Sequence, residues 1–87
     1  MPSSPSSDAR LQLLSRPDCP LCEDFAVELE QLGAELALPP VEWVDVDSDP
    51  QLARRYGLDI PVLLLDGVKV CQHRLDAAEL KRLLRPR

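Results

Sequence analysis

The chain has 87 residues, the length of one domain, and 45% of them are hydrophobic. Fifteen Asp and Glu outnumber ten Lys and Arg, so the net charge is −5 and the isoelectric point lies near 4.7. This balance argues against a nucleic-acid partner, because phosphate binding needs a basic surface. A membrane partner is not expected either, because no apolar run approaches the roughly 20 residues that span a bilayer.

Residues 1–8 are rich in Ser and Pro, which predicts a disordered tail ahead of a single domain over residues 9–87. The tail has neither the positive charges nor the apolar core of a secretory signal, so we expect a cytoplasmic protein. We also expect a monomer. In the cytoplasm a C-x-x-C pair is more often catalytic, redox-active or metal-bound than structural.

The first half of the chain predicts a strand, a long helix and a second strand. Residues 11–14 form a short apolar run that indicates a strand. The helix should begin at Cys19-Pro20, because Pro suits the first helical position, and stop at Pro39-Pro40. Its apolar stripe has helical spacing and consists of Leu21, Phe25, Leu29, Leu32 and Leu36. The run over residues 41–47 predicts a second strand, parallel to the first.

A short helix and a buried strand are predicted next. Ser48-Asp49-Pro50 offers a capping residue followed by Pro at the helix start. Gly57 should end this helix, over residues 51–56, by adopting a left-handed conformation. Residues 62–65 are continuously apolar, which is typical of a strand buried on both faces.

The chain should close with a hairpin and a last helix. Asp66-Gly67 is a strong tight-turn signal, and residues 68–72 alternate as the returning edge strand. Asp76 should cap the last helix, whose apolar positions are Ala77, Leu80, Leu83 and Leu84. The predicted order is therefore β-α-β-α-β-β-α, an α/β chain without an internal repeat.

The motif Cys19-Pro20-Leu21-Cys22 stands where the first strand passes into the first helix. A cysteine at a helix amino terminus faces unpaired N–H groups and the positive end of the helix dipole, which favours its thiolate. The thiolate is the nucleophile of disulfide exchange. We therefore predict Cys19 as the attacking thiol and Cys22, one turn further on, as the resolving thiol.

Zinc binding is the main alternative for a C-x-x-C pair, and it needs two more ligands. Cys71 and His73 are the candidates, but a C-x-H spacing on an edge strand is unusual for adjacent ligands. We therefore predict no metal site. Cys71 is expected to be a small half-buried residue, and the alternative is a secondary thiol near the active-site groove.

The step Ile60-Pro61 stands directly before the buried strand, where Pro is poorly tolerated without a specific reason. A cis peptide bond would turn the chain sharply there. The exposed backbone of Ile60 could then pair with an extended substrate.

The order of elements, the C-P-x-C motif and the Ile-Pro step resemble the glutaredoxin branch of the thioredoxin superfamily. Further similar positions run from about Arg10 to the carboxyl end: Ser15, Val44-Asp45-Val46-Asp47, Leu52-Ala53, Tyr56-Gly57, Ile60-Pro61-Val62 and Asp66-Gly67. The resemblance implies a thioredoxin-like fold of glutaredoxin size, with a four-stranded mixed sheet in the order 2-1-3-4 and helices on both faces. It also implies that the third strand is antiparallel to the first, and that Pro61 is cis and packs beside Cys19.

The chain departs from the glutaredoxin pattern where glutathione would bind. Leu21 replaces a Tyr that is common inside the motif, and Cys71-Gln72 replaces a Gly-Gly step that admits the glutathione backbone. Side chains at that step should crowd the tripeptide, and Arg16 is the only basic residue near the motif that could meet a carboxylate. We therefore expect no cofactor, and glutathione at most as a co-substrate.

Acidic residues surround the motif at Asp18, Glu23 and Asp24. Like charge disfavours a thiolate, which destabilises the reduced form. The reduction potential should then lie nearer the roughly −270 mV of thioredoxin than the about −200 to −230 mV of glutaredoxins.

Together these features predict a thiol–disulfide oxidoreductase that reduces a protein disulfide and is recycled by glutathione or a reductase. The substrate should lie across a groove bounded by Arg16, Pro17, Asp18, Ile60 and Pro61. Pro20 and Leu21 are also expected to contact it. Two alternatives stay open: a metal or iron–sulfur binding module that uses Cys19, and a non-enzymatic interaction domain that keeps the fold.

Overall fold

In the computed structural model, which describes residues 9–84, four strands form one mixed sheet in the order β2-β1-β3-β4. The elements are β1 (Leu11–Ser15), α1 (Pro20–Glu35), β2 (Val41–Asp45), a 3-10 turn (Val46–Ser48), α2 (Pro50–Tyr56), β3 (Val62–Leu65), β4 (Val68–Gln72) and α3 (Ala77–Leu84). β1 is parallel to β2 and antiparallel to β3, which is antiparallel to β4. The predicted topology is confirmed. The tail predicted over residues 1–8 and the last three residues of the chain lie outside the described residues.

Two apolar cores form because side chains on the central strands alternate between the faces of the sheet. One face carries α1 and α3 over β1 and β3, through Leu11, Leu13, Phe25, Leu29, Leu32, Leu63 and Leu80. The other carries α2 and the 3-10 turn, through Leu14, Val46, Tyr56, Val62 and Leu64. Each fully buried side chain of this size contributes about 1.5–3 kcal/mol through the hydrophobic effect. Helices on both faces are thus confirmed.

The long helix α1 is fixed on the sheet by one apolar stripe. Phe25, Leu29 and Leu32 of the predicted stripe are buried. Leu21 is 60% exposed, so its place in the stripe was wrong. The helix also ends earlier than predicted, at Glu35, where Leu36 turns to an extended backbone and donates its N–H to the Leu32 carbonyl at 2.9 Å. In α3, likewise, Leu80 is buried whereas Leu83 is 39% exposed.

The strand predicted over residues 41–47 stops at Asp45, because the chain turns there into the 3-10 turn. The Asp45 carboxylate caps that turn by accepting the Asp47 N–H at 2.9 Å. Asp49 then caps α2, accepting the Gln51 N–H at 2.8 Å, with Pro50 in the first turn as predicted. The second strand is parallel to the first, as predicted, and only its carboxyl end was misjudged.

Gly57 ends α2 for a different reason from the one predicted. Its backbone is right-handed helical, with φ −57° and ψ −27°, so no left-handed residue is needed. A Cβ atom at this position would collide with the backbone carbonyl of Ala53, and it would lie 3.4 Å from Nη2 of Arg16. The requirement for glycine is therefore close packing, not a positive φ.

The hairpin between β3 and β4 forms as predicted. Asp66 and Gly67 both have positive φ, 52° and 84°, which is the geometry of a tight turn that follows the strand twist. The pairing then skips Val70, because Leu63 pairs with Cys71 whereas Leu64 pairs with Lys69. No helix within residues 9–84 is long and apolar enough to cross a membrane.

Replacing Gly57 with Ala should destabilise the protein, because the new Cβ has no room beside the Ala53 carbonyl. We expect a loss of about 1–3 kcal/mol in the free energy of unfolding, measured by urea denaturation. Gly33→Ala is the matched control. A Cβ at position 33 would sit at an ordinary 3.5 Å from Leu38, within a helix, so this change should stabilise by up to about 1 kcal/mol. Equal effects from the two substitutions would contradict the packing explanation.

Candidate active site

The two cysteines of the C-x-x-C motif lie at the first turn of α1. Cys19 is the N-cap residue, with an extended backbone, and Pro20 occupies the first turn. Sγ of Cys19 accepts a hydrogen bond from the backbone N–H of Cys22 at 3.2 Å. The two residues form a disulfide, with Cα atoms 5.2 Å apart. The sulfur of Cys19 thus takes the place that a capping oxygen takes in most helices.

The two sulfurs differ in their access to solvent. Cys22 is 1% exposed, whereas Cys19 is partly exposed and Pro20 is exposed. Leu21 projects next to them into solvent. The sulfur of Cys19 is therefore the more accessible of the two to solvent.

A cleft of about 450 Å³ opens beside the disulfide, between the β1–α1 loop and β2. It is lined by Ser15, Arg16, Pro17, Asp18, Cys19, Cys22, Glu23, Trp43 and Asp45. Arg16, Pro17 and Asp18 were predicted to line a substrate groove. Ser15, Trp43 and Asp45 were not, although the parallel pairing of β1 with β2 would have placed residues 13–15 beside residues 43–45.

Arg16 lines this cleft, but its guanidinium group is already engaged. It donates from Nε to Oδ2 of Asp47 at 2.7 Å and from Nη2 to Oδ1 at 3.1 Å, a two-point ion pair. The pair raises the pKa of Arg16 above its ordinary value and lowers that of Asp47. Arg16 therefore ties the β1–α1 loop to the 3-10 turn, and its role in substrate binding stays a prediction.

The peptide bond between Ile60 and Pro61 is cis, as the resemblance implied. Pro61 is buried, and its carbonyl accepts the backbone N–H of His73 at 2.7 Å. Ile60 is half-buried and packs against the core on the α2 face. The contact of Pro61 with Cys19 and the pairing of Ile60 with a substrate stay predictions.

Cys71 is half-buried on β4 and packs against the core beneath α1 and α3. Its Sγ accepts the backbone N–H of Asp76 at 3.5 Å, and burial raises the pKa of the thiol above its ordinary value. The adjacent Gln72 accepts a hydrogen bond from Nζ of Lys69 at 2.7 Å. Within residues 9–84, no three potential metal ligands come together.

Leu21 lines a cavity that is separate from the cleft beside the disulfide. A cavity of about 350 Å³ lies between α1 and the loop after β4, lined by Leu21, Asp24, Phe25, Glu28, His73, Arg74 and Leu75. His73 is exposed and has a positive φ of 68°. Leu21 thus borders a cavity whose lining residues carry charges of both signs.

Comparison with known proteins gives a consistent result. Residues 10–85 match the family described as Glutaredoxin-like domain (DUF836). Uncharacterized proteins of Mycobacterium bovis and Mycobacterium tuberculosis are 35% identical over 81 residues, covering 82% of this chain and 82% of theirs. The solution structure of a Nitrosomonas europaea protein superposes with a TM-score of 0.81 at 24% identity, covering 98% of this chain and all of that one. A mutant thioredoxin of Halobacterium salinarum gives 0.58 at 29% identity, covering 90% and 73%.

The ion pair of Arg16 with Asp47 should make stability depend on pH. The pKa of Asp47 is lower in the folded protein than in the unfolded chain, so the pair stabilises the fold above the unfolded value, about 4. This contribution should fall away as the pH drops through the folded value. Asp47→Asn should therefore lower the urea midpoint at pH 7 and match the wild type in strong acid. The difference should also shrink in 1 M salt, which screens exposed charges. A pH-independent difference would contradict this role.

The buried thiol of Cys71 should react slowly with alkylating agents. Because burial raises its pKa, less thiolate is present near pH 8 than in a free cysteine. In the oxidised protein Cys19 and Cys22 are joined and cannot be alkylated. The rate of iodoacetamide labelling of Cys71 should therefore rise at a higher pH in the native protein than in the denatured protein. Coincident pH–rate curves for native and denatured protein would show that the environment of Cys71 does not protect it.

Proposed function

This chain belongs to the glutaredoxin-like domain family of the thioredoxin superfamily, and on that basis we propose that it is a thiol–disulfide oxidoreductase. Its proposed substrate is a protein disulfide. Cys19 is the nucleophile and Cys22 the resolving thiol. The observation that carries this proposal is the difference between the two sulfurs: one is accessible and caps a helix, and the other is buried one turn further on.

The helix terminus supports the role of Cys19. In the reduced protein, the N–H of Cys22 and the positive end of α1 face the sulfur of Cys19 and favour its thiolate. Asp18 and Glu23, which line the same cleft, act against the thiolate. This opposition supports a reducing potential, because a less stabilised dithiol gives up its electrons more readily.

The proposed reaction has two exchange steps. The thiolate of Cys19 attacks one sulfur of the substrate disulfide, forms a mixed disulfide and releases the other substrate sulfur as a thiolate. Cys22, deprotonated to solvent or to the departing thiolate, then attacks Sγ of Cys19 and releases the second substrate thiolate. The protein loses two electrons and two protons, which the substrate gains as two thiols.

The oxidised pair must be reduced again before another turnover. We propose that two glutathione molecules or the dithiol of a reductase supply the two electrons in the cytoplasm. Pro20, Leu21, Ile60 and Pro61 are the proposed contacts for the substrate backbone. Cys71 and Gln72 carry side chains at the positions where glutathione would lie. These side chains favour transient exchange with glutathione over tight binding of the tripeptide.

Counting released thiols tests the proposal. The fully reduced wild type, mixed with excess small aromatic disulfide that liberates a coloured thiolate, should release two thiolates per chain rapidly. Cys22→Ser should release one and retain the other half as an adduct on Cys19, visible by mass spectrometry. Cys19→Ser should show no rapid phase, because the buried Cys22 is out of reach.

Cys71→Ser serves as the control and should match the wild-type count, because Cys71 lies outside the cleft lining. A count of one in the wild type, or an adduct on Cys22 in the Cys19→Ser variant, would contradict the assigned roles. A protein isolated with bound iron or zinc that blocks the reaction would favour the metal-binding alternative.

A further inference from the structure

Trp43 lines two clefts that lie next to α1. The cleft beside the disulfide includes Trp43 in its lining. A second cleft of about 310 Å³ runs between α1 and β2, past Glu30 and Gly33, and Trp43 lines it too. We call the surface that Asp18, Cys19, Glu23, Glu30, Trp43 and Asp45 contribute to these two clefts the Trp43 groove.

Trp43 is a large apolar residue of the sheet whose side chain stays exposed. It pairs with the fully buried Leu13 and so lies on the face that carries α1. Because β2 is an edge strand of this sheet, 55% of Trp43 stays open to solvent. Large aromatic side chains beside a reactive centre are typical anchors for a bound partner.

The lining of the Trp43 groove is predominantly acidic. Carboxylates of Asp18, Glu23, Glu30 and Asp45 line its two clefts. Arg16 is the one basic residue in the lining that the structure describes, and its charge is matched by the two-point pair with Asp47. A cation in the groove would therefore meet an aromatic face and several carboxylates, whereas an anion would meet repulsion.

We propose that the Trp43 groove docks a basic segment of the polypeptide whose disulfide is reduced at Cys19. This inference rests on the proposed oxidoreductase function and adds the class of substrate. A Lys or Arg near the attacked cysteine stacks on the Trp43 indole, which attracts cations through its π face. The carboxylates of Glu23 and Asp45 flank it and steer the basic segment toward the sulfur.

Two disulfide peptides of identical length test this directly. One carries Lys on both sides of its cysteine and the other carries Glu, with all other residues the same. Each is mixed with reduced protein, and the rate constant of protein oxidation is measured by quenched alkylation. We expect the Lys peptide to react roughly tenfold faster at low salt, with the preference shrinking toward unity in 1 M salt.

Variants assign the preference to the groove. Trp43→Ala and the double change Glu23→Gln with Asp45→Asn should each lower the Lys/Glu rate ratio by about threefold or more, the loss of one cation–π contact or of steering charge. Asn can still cap the 3-10 turn, so the double variant tests charge even where Trp43→Ala alters folding. Glu35→Gln removes one carboxylate of α1 outside the groove lining and should leave the ratio unchanged.

The outcomes separate the two proposals. Equal rates for the two peptides, or a ratio that Glu35→Gln lowers as much as the groove variants do, overturn the docking inference and leave the oxidoreductase function standing. If neither peptide nor a small neutral disulfide oxidises the reduced pair, the oxidoreductase function itself falls. A ratio that depends on Trp43 and on the two carboxylates supports the basic segment as the occupant.

Discussion

The hydrogen bond from the Cys22 N–H to the Cys19 sulfur joins helix geometry to the redox chemistry proposed for this protein. It makes a sulfur the capping atom of α1, so the position of the reactive atom is set by where the helix starts. That start is fixed in turn by Pro20 in the first turn and by Phe25, Leu29 and Leu32, which hold the helix on the sheet. The core of the domain therefore positions the site, and of the two sulfurs that of Cys19 is the accessible one.

The loops around the sulfur are held by a small number of polar contacts. The two-point pair between Arg16 and Asp47 fastens the β1–α1 loop to the 3-10 turn. Gly57 lies next to that guanidinium, and a Cβ there would collide with the Ala53 carbonyl. The same pair matches the charge of Arg16, the one basic residue of the groove lining within residues 9–84. As a result, the carboxylates next to Cys19 act on the thiolate and on an approaching substrate without local compensation, which links the proposed potential and the proposed preference to one charge pattern.

Much of the fold could be predicted from the sequence, because its signals were local. The helical spacing of the α1 stripe, the Asp66-Gly67 turn and the apolar run of β3 each correspond to an observed element. Several of the errors concern contacts that only the coordinates reveal. The packing of Gly57 against Ala53 and Arg16 is invisible without coordinates, as is the partner of Arg16, which lies 31 positions further along the chain. Trp43 was overlooked because its place beside Cys19 follows from strand register, which hydrophobic pattern alone does not specify at an exposed edge.

The central claim is that Cys19 and Cys22 form one two-electron redox couple, and a redox titration tests it most directly. The protein would be equilibrated in graded glutathione and dithiothreitol buffers, its free thiols alkylated, and the labelled cysteines located by mass spectrometry. We expect Cys19 and Cys22 to be lost together at a single midpoint, nearer to about −270 mV than to −200 mV, with Cys71 labelled throughout after denaturation. A pair that resists oxidation, titrates at two separate midpoints, or is shielded by a copurified metal would contradict the claim.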